Sequence, residues 1–392
     1  MSSDGWQSTS FGKIAILRRD PVAAKDIEGD SLYVGLEHIG QGTLSLQGVG
    51  RGKDVASGKS RFVAGDVLFG KLRPYFRKVV RPAFDGVCST DIWVIRAREQ
   101  VDPRFLFYLV AGQDFVDYAN SGSSGTRMPR ANWSHVEEFR VALPPLEEQR
   151  AIAEVLGSLD AAIENHLAQH RGRVNLLMNL VTAPHHKSIV GGFELTIGGD
   201  WGADEPDDSH TEAALCLRGK DLEELLSGAA DDIPVRYLKP SSVKKRRLQP
   251  GDVLTAGSGT LGPTLLITES LLSGFSLPAV YSNFVKRIRV SSADAEPVGL
   301  FAALHGMWKS GSINQFRTGT AMPNLDAKAL VRNLVTPGYF EDGTGSMIDD
   351  LLSFDDIAAV RTLRSTRDAL LTKLISGELR IEDPQRILDQ VA

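Results

Sequence analysis

The sequence predicts an α+β fold built on one plan used twice. Two tandem globular halves related by pseudo-twofold symmetry are separated by two long antiparallel helices that form a coiled coil. Three observations predict it: short motifs recur in the same order in both halves, β-branched and aromatic runs punctuated by Gly and Pro precede each helix, and two long stretches carry apolar residues at heptad spacing. With 392 residues, 42% of them hydrophobic and 24% charged, the chain suits two or three domains with ample core.

The repeat is read from three matches. AGDVLFGK, with Gly65, Asp66, Val67 and Leu68, returns as PGDVLTAG, with Gly251, Asp252, Val253 and Leu254. SSGTRMPR (Ser123 to Arg130) returns as RTGTAMPN (Arg317 to Asn324), and VLGSLDAAI (Val155 to Ile163) as DLLSFDDIA (Asp350 to Ala358). The separations drift only between about 186 and 195 positions, as loop insertions would make them drift, so a tandem duplication accounts for all three. Boundaries follow: 1–144 and 183–340 are the globular halves, 145–182 and 341–381 the long helices, and 382–392 a tail.

Within the halves, FVAGDVLF, CSTDIWVIRA, PVRYL, DVLTA and TLLIT read as strands. Asp102 and Pro103 read as the N-cap and first residue of a short helix, because an Asp oxygen there accepts an orphan N–H and Pro lacks one to lose. A Gly/Ser loop, SGSSGTRMPR, then leads to the last strand of the first half.

After Pro144 and Pro145, Glu147 and Glu148 sit where carboxylates complement the positive end of a helix dipole. Ile152, Leu156, Leu159 and Ile163 follow at heptad spacing, and the phase continues through His166, His170, Arg173, Leu177 and Leu180. The second helix repeats the seam through Met347, Leu351, Phe354 and Ala358, then shifts phase to Val360, Leu363, Leu370 and Leu374. Gly377 in SGELRI reads as its stop. Such a stripe must be buried, and the duplicate helix is its obvious partner; the alternative is that each helix folds back on its own globular half.

The net charge of −5 argues against a protein that coats nucleic acid through bulk charge. Positive residues nevertheless cluster in KLRPYFRKVVR, VKKRRL and VKRIRV, while acid collects in DWGADEPDD and IDDLLSFDD, a segregation that leaves room for a DNA-facing surface. No apolar run of membrane-spanning length appears, and MSSDGWQSTS lacks the features of a signal peptide, so a cytoplasmic protein without membrane attachment is expected. Cys88 and Cys216 read as reduced core thiols. His166 and His170 lack an acidic or cysteine third ligand on their face, so no metal site is expected.

Catalytic motifs do not hold up. GSGTLG (Gly257 to Gly262) matches GxGxxG, but Pro263 and TLLIT follow where a helix should open and no acid follows at the ribose-binding distance. LPPLEE lacks the polar residue and the aromatic that flank the prolines of an adenine methyltransferase tetrapeptide, and no nuclease core is recognisable. No catalytic residue is expected.

LPPLEEQRAIAEVLGSLDAAI, LLTKLISGELRI, YVGLEHI and FGKLRPYFRKV resemble the specificity subunits of type I restriction-modification enzymes, over nearly the whole chain. The resemblance implies that each globular half is a target recognition domain reading one part of a bipartite, asymmetric DNA sequence. It implies further that the helices separate the domains and dock two methyltransferase subunits, with restriction (translocase-nuclease) subunits joining. S-adenosylmethionine, ATP and Mg would then sit on those partners and none on this chain. TPGYFEDGTGSM departs from the pattern, standing where a second PPLEEQ would be expected. The residues also fit a coiled-coil DNA-binding adaptor of another defence or DNA-processing complex.

Two diverged heads on a pseudo-twofold protein can meet two separated half-sites, with helix length setting the gap. The expected DNA contacts of the first half are Lys71, Arg73, Tyr75, Arg77 and Lys78, joined by Arg127 and Arg130. Those of the second are Lys244, Lys245, Arg246 and Arg247, with Ser258, Thr260, Arg317, Thr320 and Asn324. Arg can grip guanine bidentately, whereas Lys, Ser and Thr more often hold phosphates. The expected coiled-coil and partner contacts are Ile152, Leu156, Leu159, Ile163, Leu177, Leu351, Phe354, Leu363, Leu370 and Leu374.

Overall fold

A computed structural model of the chain describes residues 5–125, 127–181, 188–226, 233–293, 295–320, 322–337 and 355–381. The chain divides into two compact units, Met1–Ala162 with Leu363–Ala392, and Ile163–Thr362. The division falls inside both long helices, so each helix contributes one part to each unit.

In the first unit a four-stranded antiparallel sheet is formed by β1 (Ala15–Arg18), β2 (Val67–Gly70), β3 (Val79–Val80) and β4 (Ile92–Ala97), in the order β1-β4-β2-β3. In the second unit β5 (Phe193–Leu195), β6 (Val253–Ala256), β7 (Thr264–Leu266) and β8 (Val285–Val290) repeat that order as β5-β8-β6-β7. The parallels continue. Gln7–Ser10 pairs with Arg140–Leu143 and Ser188–Val190 with Val335–Pro337, both antiparallel. A second sheet in each unit holds one parallel pair, Leu32–Val34 with Gly86–Cys88 and Glu212–Leu217 with Ala279–Tyr281. Among the described residues the duplication read from the sequence is thus a duplication of topology; most of the second copy of the third motif, Asp350 to Phe354, lies outside them.

The Gly-Asp-Val-Leu motif has a physical reason. Gly65 and Gly251 both take φ +88, which L side chains rarely adopt, and deliver the next residue inward. Buried Asp66 caps the Val63 N–H and grips Arg96 of β4 at 2.7 and 2.8 Å. Buried Asp252 caps the Gln249 N–H and grips Arg289 of β8 at 2.5 and 3.2 Å. A buried carboxylate is tolerated because two N–H groups of a planar guanidinium meet it.

Asp102 caps α1 (Pro103–Ala111), accepting from the N–H groups of Arg104 and Phe105. The long helix α2 (Leu146–Val181) begins directly after the two prolines and has 36 residues. The polar side chains of its first turns tie the unit together. Buried Gln149 donates to the Pro144 carbonyl (2.9 Å) and accepts from the Asp102 N–H (2.9 Å), while Glu148 accepts from the Trp6 indole (2.7 Å) and from Arg380 (3.2 Å). Ile152, Leu156, Leu159, Ile163 and Leu177 are all buried along α2, with His170 in the same stripe. His170 meets the Leu226 carbonyl at 2.7 Å, and burial lowers its pKa.

The basic helix α3 (Pro240–Arg246) lies in the second unit. The C-terminal long helix α4 (Asp355–Ser376) has a buried stripe of Ile357, Val360, Arg364, Arg367, Leu371 and Leu374, a heptad seam with two arginines at its centre. Leu363 and Leu370 lie half-buried beside that stripe. In the first unit Glu148 of α2 meets Arg380 and Asp160 of α2 meets Arg367, so residue numbers fall along one partner as they rise along the other: the two chain segments run antiparallel. Gly377 ends α4 at φ +75. Leu351, Phe354, the TPGYFEDGTGSM junction apart from its first two residues, and the tail 382–392 lie outside the described residues.

Among the described residues no helix is long and apolar enough to cross a membrane, and no group of three or more His, Cys, Asp or Glu could hold a metal. Cys88 and Cys216 are buried free thiols whose pKa values desolvation pushes up to about 12.

Candidate nucleic-acid interface

Both units carry the same loop pair at the exit of the second strand of the four-stranded sheet. After β2 the chain runs through Lys71, Leu72 and Arg73; after β6 it runs through Gly257, Ser258 and Gly259. In the first unit Arg73 N–H donates to the Pro129 carbonyl (2.7 Å) and Ala131 N–H to the Lys71 carbonyl (2.9 Å). In the second, Gly259 N–H donates to the Pro323 carbonyl (3.0 Å) and Leu325 N–H to the Gly257 carbonyl (3.0 Å). The Gly-Thr-x-Met-Pro turn therefore docks on the strand-exit loop through equivalent bonds twice. Its glycine is required: Gly125 (φ +99) and Gly319 (φ +77) are left-handed, and a Cβ would fall 3.3 Å from the Met128 carbonyl oxygen or 2.8 Å from that of Met322.

Upon this shared backbone the side chains differ. In the first unit exposed Arg127 lies beside Arg73, whose Nη2 reaches its carbonyl at 3.5 Å and whose Nε is buried with no partner among the described residues. Arg73 and Arg77 hold left-handed φ values of 51 and 48 on either side of the turn Pro74–Phe76. Each costs of order 1–2 kcal/mol, strain of the kind that collects at functional sites. Tyr75 stands 49% exposed on that turn. Arg130 is oriented by Asp91, which takes two of its N–H groups at 2.9 and 3.3 Å and raises its pKa further.

Two residues of the expected set are engaged elsewhere. Arg77 donates to the Ala111 carbonyl (2.6 Å) and bidentately to Asp368 of α4 (3.2 and 3.0 Å). Lys78 donates to the Leu36 carbonyl (2.6 Å), and burial lowers its pKa. Both hold the loop's base in place, which a count of positive charge cannot distinguish from facing a ligand.

In the second unit Ser258, Thr260, Arg317, Thr320 and Asn324 come together on the loop pair. Ser258 bridges to Asn324, Arg317 pairs with Leu325, and the Ser258 hydroxyl is buried with no partner among the described residues. Thr260, Arg317, Thr320 and Asn324 are exposed. Lys244, Lys245 and Arg247 are exposed around the C-terminal end of α3, which packs on Glu212–Leu217 and Ala279–Tyr281, the other sheet. Positive charge suits a helix C-terminus, and Arg246 is itself tied to the Gly198 carbonyl at 2.8 Å.

Two further residues beside the loop pair, Phe284 just before β8 and Lys286 within it, were not among the expected contacts. Gly257 N–H donates to the carbonyl of Phe284, which is 53% exposed, and Lys286 lies so close over Gly257 that a Cβ there would fall 2.8 Å from its Cε. Phe284 occupies the place of Asp91, whose carbonyl accepts from Lys71 N–H in the same way. The available signal was VKRIRV, of which Arg287 and Arg289 turn inward, Arg287 to the Lys245 and Arg247 carbonyls and Arg289 to Asp252.

Residues 55–170 match the family model described as the type I restriction modification DNA specificity domain. The EcoDI type I restriction enzyme specificity subunit of Escherichia coli is 34% identical over 179 residues, covering 44% of this chain. The match covers 38% of that relative, so the chain spans well under half of its length in alignment. The MjaVIII specificity subunit of Methanocaldococcus jannaschii is 20% identical over 92% of this chain and 88% of its own. The crystal structure of a type I restriction-modification S subunit from M. genitalium superposes with a TM-score of 0.50 at 14% identity, over 95% of this chain and 96% of the other, a likeness of fold.

Proposed function

We propose, from the premise that this chain belongs to the family of type I restriction-modification specificity subunits, that it reads a bipartite, asymmetric DNA target and scaffolds the subunits that act on it. One observation carries the reading: a single backbone loop pair is built twice and furnished with different side chains. Two copies of one frame suit two half-sites on a duplex, and different side chains suit different sequences. In the first unit Lys71, Arg73, Tyr75, Arg127 and Arg130 face DNA. In the second Ser258, Thr260, Arg317, Thr320 and Asn324 do so with Lys286, and Lys244, Lys245 and Arg247 supply phosphate contacts.

The long helices are the spacer and the docking surface for two methyltransferase subunits, and restriction subunits join that assembly. The chain itself is non-catalytic and cytoplasmic; S-adenosylmethionine, ATP and Mg serve the partner subunits. The test is to express the chain with the methyltransferase encoded beside it and to sequence the methylome. The expected result is co-purification and adenine methylation at a split motif; failure of both returns the chain to the class of coiled-coil adaptors. Exchanging residues 1–142 for another head should alter one half of the motif, and alteration of both halves would sink the two-reader arrangement.

A further inference from the structure

The Gly-Thr-x-Met-Pro turn leaves one side chain that phosphate binding does not use. Met128 is 47% exposed and Met322 59%, and each has an exposed aromatic on the adjoining loop, Tyr75 in the first unit and Phe284 in the second. The loops are joined by main-chain bonds: Arg73 N–H to the Pro129 carbonyl leads into the Tyr75 turn, and Gly257 N–H to the Phe284 carbonyl lies two residues before Gly259 N–H to that of Pro323. The left-handed glycine and its close approach to the methionine carbonyl hold the turn in shape, and the following proline restricts it further. The same loops carry cations: Arg73, Arg127 and Arg130 in one unit, and in the other Arg317, with Lys286 lying against Gly257. Neighbouring positions have diverged between the copies, Arg127 to Ala321 and Arg130 to Asn324, while the methionine recurs.

We propose that Met128 and Met322, each with its neighbouring aromatic, make apolar contacts with DNA bases, one set in each half-site. This deepens the DNA-reading function above and rests on it. A thioether has no N–H or O–H to give a phosphate. The apolar base surface a duplex offers is the thymine methyl group in the major groove, or a stacking face opened at a deformable step by an inserted wedge. The surrounding cations favour DNA over an apolar protein partner.

The test uses the full chain in complex with its methyltransferase, after the wild-type motif has been mapped. M128A is expected to relax one position in one half of the motif and weaken binding to the cognate duplex about tenfold, with a scrambled duplex unaffected. M322A should do the same in the other half, and M128L and M322L should restore most of the loss. Loss of affinity on replacing thymine by uracil identifies the methyl contact; a rise in 2-aminopurine fluorescence on binding identifies the opened step. Unchanged motif and affinity in both alanine variants overturns the inference, as does equal weakening on cognate and scrambled duplexes. Absence of directed methylation by the wild-type complex would remove the underlying function instead.

Discussion

Replacing Arg367 by Met tests how the C-terminal helix is held in the first unit. Arg367 is 1% exposed, the largest fully buried side chain among the described residues. It donates to Asp160 of α2 at 2.9 Å, to Asp368 at 3.1 Å and to the Gly42 and Thr43 carbonyls at 3.4 Å. Asp160 also takes the Tyr108 hydroxyl at 2.7 Å, and Asp368 takes Arg77. Removing one member of a buried ion pair costs about 3–5 kcal/mol. Because both carboxylates keep a second donor, the lower end applies, about 3 kcal/mol, which in a unit of this size lowers Tm by about 10 °C. Native-state hydrogen exchange, resolved by unit, measures the loss without assuming one transition for the whole chain. Adding Asp160→Asn to Arg367→Met should recover about 1–2 kcal/mol, since the stranded charge goes. As a control, Arg171→Met removes an exposed 4.0 Å pair with Glu164 and should change stability by less than about 1 kcal/mol. Burial alone would raise the Asp368 pKa, but the Arg77 hydrogen bond and the Arg367 charge hold it below the usual value. A depressed carboxylate stabilises above its unfolded pKa of about 3.9 and loses that contribution as pH falls through the folded value, so the gap between wild type and variant should narrow below about pH 4. An R367M protein within about 0.5 kcal/mol of wild type, or strict additivity with D160N, would refute the buried network as a determinant of stability.

Other expectations can be checked alongside. Asp66→Asn and Asp252→Asn should each cost about 2 kcal/mol in their own unit, read by urea unfolding, and add within about 0.5 kcal/mol because they lie in separate cores. Buried His305, between Phe301 and Trp308, has its pKa lowered to about 4 by desolvation and by Lys309. The unfolded chain then binds the proton first, so the second unit should lose about 3 kcal/mol between pH 6.5 and 4 and plateau below, a slope that His305→Leu should flatten in pH-dependent unfolding. Arg130→Ala should weaken DNA binding and lower the salt slope by about 1, whereas Arg77→Met should destabilise the first unit and leave that slope unchanged; titration at several salt concentrations separates them.

Much of the fold was legible because duplication and periodicity are properties of a linear string. Three motif matches announced one topology used twice, Asp102 and Pro103 announced a capped helix, and Ile152, Leu156, Leu159 and Ile163 announced a buried stripe. The candidate site was legible in part: the Gly-Thr-x-Met-Pro turns could be matched to one another, but their docking on the strand-exit loops could not. Where charge was concerned, sequence and structure diverged. Arg73, Arg77 and Lys78 stand within six positions as equal cations, yet Arg73 lies at the loop pair while Arg77 is spent on Asp368 and Lys78 on the Leu36 carbonyl. Leu363 and Leu370 looked like the seam of the second helix, and the buried stripe instead runs through Arg364 and Arg367. Hydrophobic periodicity reports burial only for side chains that water rejects by themselves. A guanidinium can be buried only when a carboxylate from elsewhere in the chain meets it, and that meeting is decided in three dimensions.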